Sequence, residues 1–167
     1  MTDATLLAAV RHNGWANLEL LEFCSKLTPE QLALTVPGTY GSVHGTLQHI
    51  VRAEQGYIFG LAGGEVPPGG ELTDRLAGLS ELIARARRSA ERIEQILSSE
   101  FDPFHTILHT DGYTSRARIV AAQFIHHGSD HRAQVGTILG AHGIEAPAVD
   151  VWTYGEVIGE EIPPPKS

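Results

Sequence analysis

Apolar residues recur at steps of three and four along four long stretches of the chain, a spacing that places their side chains on one face of an α-helix. The stretches cover approximately residues 3–27, 42–62, 73–97 and 115–143. The third stretch is the most regular, and its opposite face carries arginine and glutamate residues that we expect to be solvated. Its apolar positions are Leu76, Leu79, Ile83, Ala86, Ala90, Ile93 and Leu97.

Residues that typically begin or end helices flank these stretches. Ser42 and Thr73 are suited to cap the second and third helices at their N-termini. The Thr28-Pro29 pair predicts a further short helix, because proline is favoured at the first helical position. Gly143 follows the fourth stretch, at a position where glycine commonly ends a helix.

The segment between the third and fourth stretches predicts a turn. Asp111 and Gly112 separate two short runs that favour strands, which is typical of a β-hairpin. Residues 151–158 predict a last short helix. We therefore predict an all-α fold: a four-helix bundle with a small β-hairpin or extended loop before the fourth long helix and a short C-terminal helix. Residues 1–167 are expected to form one domain with a flexible tail at 160–167, and the bundle topology stays open.

Composition narrows the function classes. The chain has 167 residues, a formal net charge of −8 and one cysteine, Cys24. The acidic balance argues against binding to nucleic-acid backbones or anionic membranes. One cysteine permits neither an internal disulfide bond nor a zinc site built from cysteines. No apolar run approaches the ~18 residues of a transmembrane helix, and no basic residue precedes the N-terminal run, so we expect a cytoplasmic protein.

Histidine is the residue type that points to chemistry, since the chain has nine of them. His127 and His131 stand four residues apart in the fourth stretch, so both project from one helical face, which we expect to face the core. Together they can bind a metal ion; alternatively, they are hydrogen-bonded histidines of the core or its rim. His49, with His44 nearby, offers a third ligand from the second stretch, which would complete an open three-histidine site.

The signature motifs of several enzyme classes are absent from the sequence. It lacks the H-E-x-x-H motif of zinc proteases and the E-x-x-H motif of di-iron carboxylate bundles. It also lacks the P-loop, the dinucleotide-binding glycine motif and the G-x-S-x-G motif of serine hydrolases. No second carboxylate or base stands out, so the catalytic residues beyond the metal ligands stay unknown.

Three segments resemble motifs of the DinB/YfiT-like family of metal-dependent enzymes. Residues 123–134 read QFIHHGSDHRAQ, which is similar to the family pattern N-H-x-x-x-H-R-G-Q. Residues 42–54 resemble its second-helix motif, in which the later histidine is a ligand, and residues 15–17 resemble its first-helix motif. The resemblance spans roughly residues 5–155.

The resemblance implies a metal site formed by His49, His127 and His131. The sequence departs from the family pattern at His126 and Ala133, and neither change removes a ligand, because His126 points about 100° away from His127. The expected ion is divalent zinc or nickel, with iron or manganese as alternatives. The resemblance also implies an S-transferase or isomerase that uses a low-molecular-weight thiol such as mycothiol or bacillithiol. A metal-dependent hydrolase and a non-catalytic metal-binding stress-response protein are the alternatives. The expected partners are a small-molecule substrate or thiol and a second copy of the chain in a homodimer.

Neighbouring residues are expected to shape this site. Gln134, one turn past the last of these histidines, is expected to orient a ligand or contact substrate. Glu54 and Tyr57 lie one to two turns beyond His49 and are expected to line a pocket. A wide pocket beside His49, lined by Tyr57, Phe124 or Gln134, would favour an enzyme, whereas a sealed site would favour a structural metal.

Overall fold

The computed structural model describes residues 3–63, 76–99, 101–109 and 113–161, and it confirms the predicted all-α fold. The long helices are α1 (Ala4–Cys24), α3 (Val43–Ala62), α4 (Leu79–Ser98) and α5 (Ala117–Ala141). The short helices are α2 (Pro29–Leu32) and α6 (Val151–Ile158). Strands β1 (Thr106–Leu108) and β2 (Thr114–Arg116) form a hairpin ahead of α5.

The packing of the four long helices settles the topology that the sequence left open. Helix α1 packs against α4 and α5, and α3 packs against the same two helices. The order around the bundle is therefore α1, α4, α3, α5, with α1 diagonal to α3 and α4 diagonal to α5. The chain crosses a diagonal twice, through the loop and α2 after α1 and through the hairpin after α4. The pairing of α3 with α5 brings the second and fourth predicted helices side by side.

Most of the predicted helix ends are confirmed by their capping geometry. The Ser42 hydroxyl accepts a hydrogen bond from the Gly45 backbone N–H at 3.0 Å, which begins α3 at the expected residue. Thr28 forms a capping box at the start of α2. Gly143, with φ of 73°, follows α5, and the Ile144 N–H donates to a carbonyl of the last helical turn, as in a Schellman motif.

The N-terminus of α4 differs from the prediction. The helix begins at Leu79, and the expected cap, Thr73, lies outside the described residues. Leu76, predicted on the apolar helical face, lies ahead of the helix and is exposed. The charged face is also not uniformly solvated, because Arg85 is buried and pairs with Glu81 at 2.6 Å, one turn earlier. Helix α4 begins later than predicted because the backbone at Gly78 is extended rather than helical.

The hairpin and the C-terminal helix agree with the prediction. Thr106 pairs with Arg116 in an antiparallel register, and the buried side chain of Ile107 packs on the first turns of α5. The predicted Asp111-Gly112 turn lies outside the described residues, as does most of the tail that we expected to be flexible. Helix α6 packs against α1.

The core consists of two main apolar clusters separated by a polar layer. One cluster surrounds Leu20, Leu47 and Val135, and the other surrounds Val10 and Phe124. Between them, α1, α3 and α5 each contribute buried polar side chains. No helix within the described ranges combines the length and apolar character needed to cross a membrane. The polar layer lies level with the predicted metal ligands along α5.

Candidate metal centre

Three histidines converge where α3 packs against α5. His127 and His131 lie one turn apart on α5, and His49 reaches them from α3. Nε2 of His127 lies 3.0 Å from Nε2 of His49. One ring nitrogen from each of the three side chains lies within 4.8 Å of the others, and this is the metal-capable group found among the described residues. The structure therefore brings together the three histidines implied by the sequence motifs.

The orientation of α5 differs slightly from the prediction. The sequence placed the two histidines in the middle of the core-facing seam, but the fully buried row runs through Phe124, Gly128, Arg132 and Val135. The two histidines occupy the adjacent row, are half-buried, and face α3. Their position at the rim leaves them within reach of solvent, which a ligand-exchange site requires.

The donor set fits a divalent ion. Burial, followed by the charges of His131 and His49, lowers the pKa of His127 to about 4. Burial, followed by the charges of His131 and Arg52, also lowers the pKa of His49. Both rings are therefore neutral at neutral pH and keep a lone pair for a metal. Nitrogens bound to one tetrahedral ion at ~2.0–2.1 Å lie ~3.4 Å apart, close to the separation found between the two Nε2 atoms.

One nitrogen of the cluster lacks a protein partner. Among the described residues, buried Nδ1 of His127 has no hydrogen-bond partner. A buried polar nitrogen without a partner is costly, so its environment is incomplete without a further group. Tyr57 contacts the same ring edge-on, with 5.6 Å between ring centroids.

A loop residue that the sequence analysis did not single out covers the cluster. The Tyr40 ring stacks on His49 with centroids 3.9 Å apart and an angle of 15° between the planes. It meets His131 edge-on at 5.3 Å. The Tyr40 backbone N–H donates to Oε1 of Gln134 at 2.9 Å, and the same oxygen lies 3.2 Å from Nδ1 of His131. The expected contact between Gln134 and one of the clustered histidines is present.

A sequence model of the DinB family matches residues 1–161, nearly the whole chain. The chain belongs to the DinB family. A comparison with curated proteins finds no match. Membership in the DinB family and the cluster of His49, His127 and His131 together fit a metal-binding protein.

Two other histidines of this DinB family member, the alternative ligand His44 and the neighbouring His126, lie apart from the cluster. Nε2 of His44 lies 2.7 Å from the backbone oxygen of Ala77, so its ring is engaged in a local contact. His126 is exposed and lies 3.4 Å from Asp130, on the side of α5 predicted by the helical phase. The structure therefore selects His49 over His44 as the histidine that α3 brings to the cluster.

A cavity of about 480 Å³ opens beside His49 in this DinB bundle. Its position matches the expectation, but its walls do not. Phe124 is fully buried, and neither Tyr57 nor Gln134 lines the cavity. The lining residues are Tyr40, Gly45, Gln48, His49, Arg52 and Ala53.

A buried polar network that the sequence did not predict lies behind the histidines. Nη1 of Arg132 donates to Oδ1 of Asn13 and of Asn17 at 2.7 Å each. Both asparagine amides in turn donate to Oε1 of Glu54 at 2.6 Å. Glu54, expected to line a pocket, instead lies inside the bundle and is 1% exposed.

The network has an unusual charge balance. Burial raises the pKa of Glu54 to about 7, although the two asparagine hydrogen bonds and the charge of Arg132 act in the opposite direction. Burial also lowers the pKa of Arg132 to about 10. Gly128 provides the space for these side chains, because a Cβ there would overlap Oδ1 of Asn13 and lie 2.8 Å from Nη1 of Arg132.

A signal for this network was present in the sequence. Asn13 and Asn17 are four residues apart and flank Gly14 on the apolar face of α1, and Glu54 falls on the apolar face of α3. Polar residues on an apolar face require partners, but periodicity along one helix does not say which other helix supplies them.

Proposed function

We propose that the protein binds a divalent ion, zinc or nickel, through His49, His127 and His131 and acts as a metal-dependent enzyme that uses a low-molecular-weight thiol in an S-transferase or isomerase reaction. The observation that carries this proposal is that His49 belongs to two features of the molecule. Its ring belongs to the histidine cluster and also lines the open cavity. An ion at the cluster would therefore be accessible to a small molecule.

A bound divalent ion would supply Lewis-acid chemistry, lowering the pKa of a thiol or a water molecule. Three imidazole ligands add no negative charge, so the ion would keep its full positive charge. Four thiolate ligands would cancel the charge of the ion and leave no open position for a substrate. Cys24 is not available as such a ligand, because it is buried in the core, where desolvation raises its pKa to about 12.

The residues of the cavity wall have separate roles in this proposal. The stacked Tyr40 ring restricts rotation of His49 and excludes water from one side of the cluster. The charge of Arg52 acts on His49. An anionic group inside the cavity would also be close to this guanidinium, which favours negatively charged reactants.

A thiol screen with metal-loaded protein tests the proposal. Bacillithiol, mycothiol and glutathione are each supplied with electrophilic acceptors, and we expect thiol-dependent turnover by wild type that is lost in His131→Ala. His126→Ala, which alters an exposed histidine on the same helix, is the matched control and should retain turnover. Turnover that needs metal but no thiol would instead support the hydrolase alternative, for which the same open cavity provides access. A metal-loaded protein without turnover toward either class of substrate would contradict the proposed activity.

A further inference from the structure

The side chain of Gln134 connects two parts of the histidine cluster. Its Oε1 lies 3.2 Å from Nδ1 of His131 on its own helix and 2.9 Å from the backbone nitrogen of Tyr40 in the loop between α2 and α3. One amide oxygen therefore contacts a ring of the cluster directly. It also anchors the residue whose ring stacks on His49.

The backbone contact determines which atom of the Gln134 amide faces the cluster. A backbone N–H can only donate a hydrogen bond, so the atom facing the Tyr40 nitrogen must be the amide oxygen. This assignment does not rely on distinguishing oxygen from nitrogen in the side chain, which is ordinarily ambiguous. The amide oxygen can only accept, so its contact with Nδ1 of His131 requires that Nδ1 carry the hydrogen.

We propose that Gln134 is a positioning residue that holds neutral His131 in its Nδ1–H tautomer and couples this choice to the placement of Tyr40 over His49. In that tautomer the lone pair is on Nε2, which becomes the nitrogen that His131 offers to a metal ion. The metal-binding part of the inference rests on the proposed function, whereas the tautomer is a property of the protein without metal.

The contrast with His127 supports a specific role for Gln134. Among the described residues, Nδ1 of His127 has no hydrogen-bond partner, so this ring has no acceptor at Nδ1 of the kind that Gln134 provides to His131. The polar contact at His131 is therefore not a general feature of the cluster. It arises because Gln134 follows His131 by three residues, a spacing that brings side chains together on a helix.

Two substitutions separate the acceptor from the bulk of the side chain. Gln134→Met keeps the length of the side chain but removes the acceptor oxygen. Gln134→Glu keeps an acceptor oxygen at the same distance along the chain. Gln123→Met removes an exposed glutamine from the same helix whose amide contacts the Tyr57 hydroxyl at 3.5 Å rather than a histidine of the cluster, and it serves as the control. Circular dichroism of each variant monitors the helical fold.

The test combines nitrogen NMR of the metal-free protein with metal titration. We expect Nδ1–H at His131 in wild type, Gln134→Glu and Gln123→Met, and loss of this preference in Gln134→Met. We expect zinc affinity to fall roughly tenfold to a hundredfold in Gln134→Met, with rescue in Gln134→Glu. The ligand-field spectrum of bound Co²⁺ should change only in Gln134→Met.

The outcomes separate the positioning role of Gln134 from the proposed metal-dependent function. A wild-type His131 protonated at Nε2 overturns the positioning role, even if Gln134→Met does not fold. A folded Gln134→Met with the wild-type tautomer and affinity also overturns it. A wild type that takes up no ion but shows the Nδ1–H tautomer, lost in Gln134→Met, supports the positioning role and contradicts the proposed function.

Discussion

Replacing Arg132 with methionine is the sharpest perturbation of the buried network. Arg132 is 6% exposed and donates to both asparagines that bind Glu54. Methionine fills a similar volume but removes the cation and leaves the two asparagine oxygens without their donor. Arg132 and Glu54 are joined through the asparagines, and leaving a buried charge without its opposite charge costs about 3–5 kcal/mol, a large part of the ~5–15 kcal/mol that stabilises a typical domain.

Urea unfolding of the metal-free protein, followed by far-UV circular dichroism, measures this loss. We expect a free energy of unfolding about 3–5 kcal/mol lower for Arg132→Met than for wild type at pH 8. Arg132 lowers the pKa of Glu54, so its removal raises that pKa further above about 7. Protonation then relieves the unpaired charge at pH 5, and the loss should be smaller there.

Two further variants make the result decisive. Arg132→Met combined with Glu54→Gln should recover part of the lost stability, because the double variant has no buried unpaired charge. Arg118→Met removes an exposed arginine from the same helix that lies over the Phe104 ring at 4.7 Å, and it should lose no more than about 1 kcal/mol relative to wild type. A single variant Arg132→Met as stable as Arg118→Met, or a double variant that loses the sum of both single effects, would refute the reasoning.

Two other properties follow from the same structure, and a third, the homodimer, is an expectation from the family resemblance. The folded-state pKa of Glu54, raised from 4.5 to about 7, means that the folded protein binds the proton more tightly. Ionisation of Glu54 therefore destabilises the folded protein as pH rises from about 4.5 to about 7, by up to about 3 kcal/mol. Glu54→Gln should remove this pH dependence from free energies of unfolding measured with urea across the range. An identical pH dependence in both proteins would contradict the raised pKa of Glu54. Gly128→Ala places a methyl group against Asn13 and Arg132 and should lower the free energy of unfolding by about 1–3 kcal/mol. Gly136→Ala on the same helix, where the added methyl group meets open space, should not lower it. Equal unfolding curves for the two variants would show that the network accommodates the added methyl group. The homodimer stays a prediction. Sedimentation equilibrium should give twice the monomer mass of 18.0 kDa. A monomer at all protein concentrations would contradict the homodimer.

The helices could be predicted because their signals are local. The caps Ser42 and Thr28 and the glycine at 143 act on backbone groups within one turn, so a short sequence window contains the whole interaction. The start of α4 was less predictable, because Leu76 continues the apolar spacing although the backbone at Gly78 is extended. Periodicity reports which side chains could share a face, not whether the backbone is helical.

The candidate site divides along the same line. His127 and His131 lie on one helix, so their spacing alone predicted that they project together. The choice between His44 and His49 depended on how α3 packs against α5, which periodicity along one helix does not reveal. The motif resemblance indicated His49. Tyr40 was not predictable, because it reaches the cluster from a loop whose path depends on tertiary packing.

Metal content is the measurement that tests the central claim most directly. We expect purified protein, or metal-free protein titrated with zinc or nickel, to hold about one equivalent of ion per chain by elemental analysis. His131→Ala should abolish this uptake, and His126→Ala should retain it, because only the first of these residues belongs to the cluster. A folded wild type that takes up neither ion, or equal uptake by the two variants, would contradict the three-histidine site.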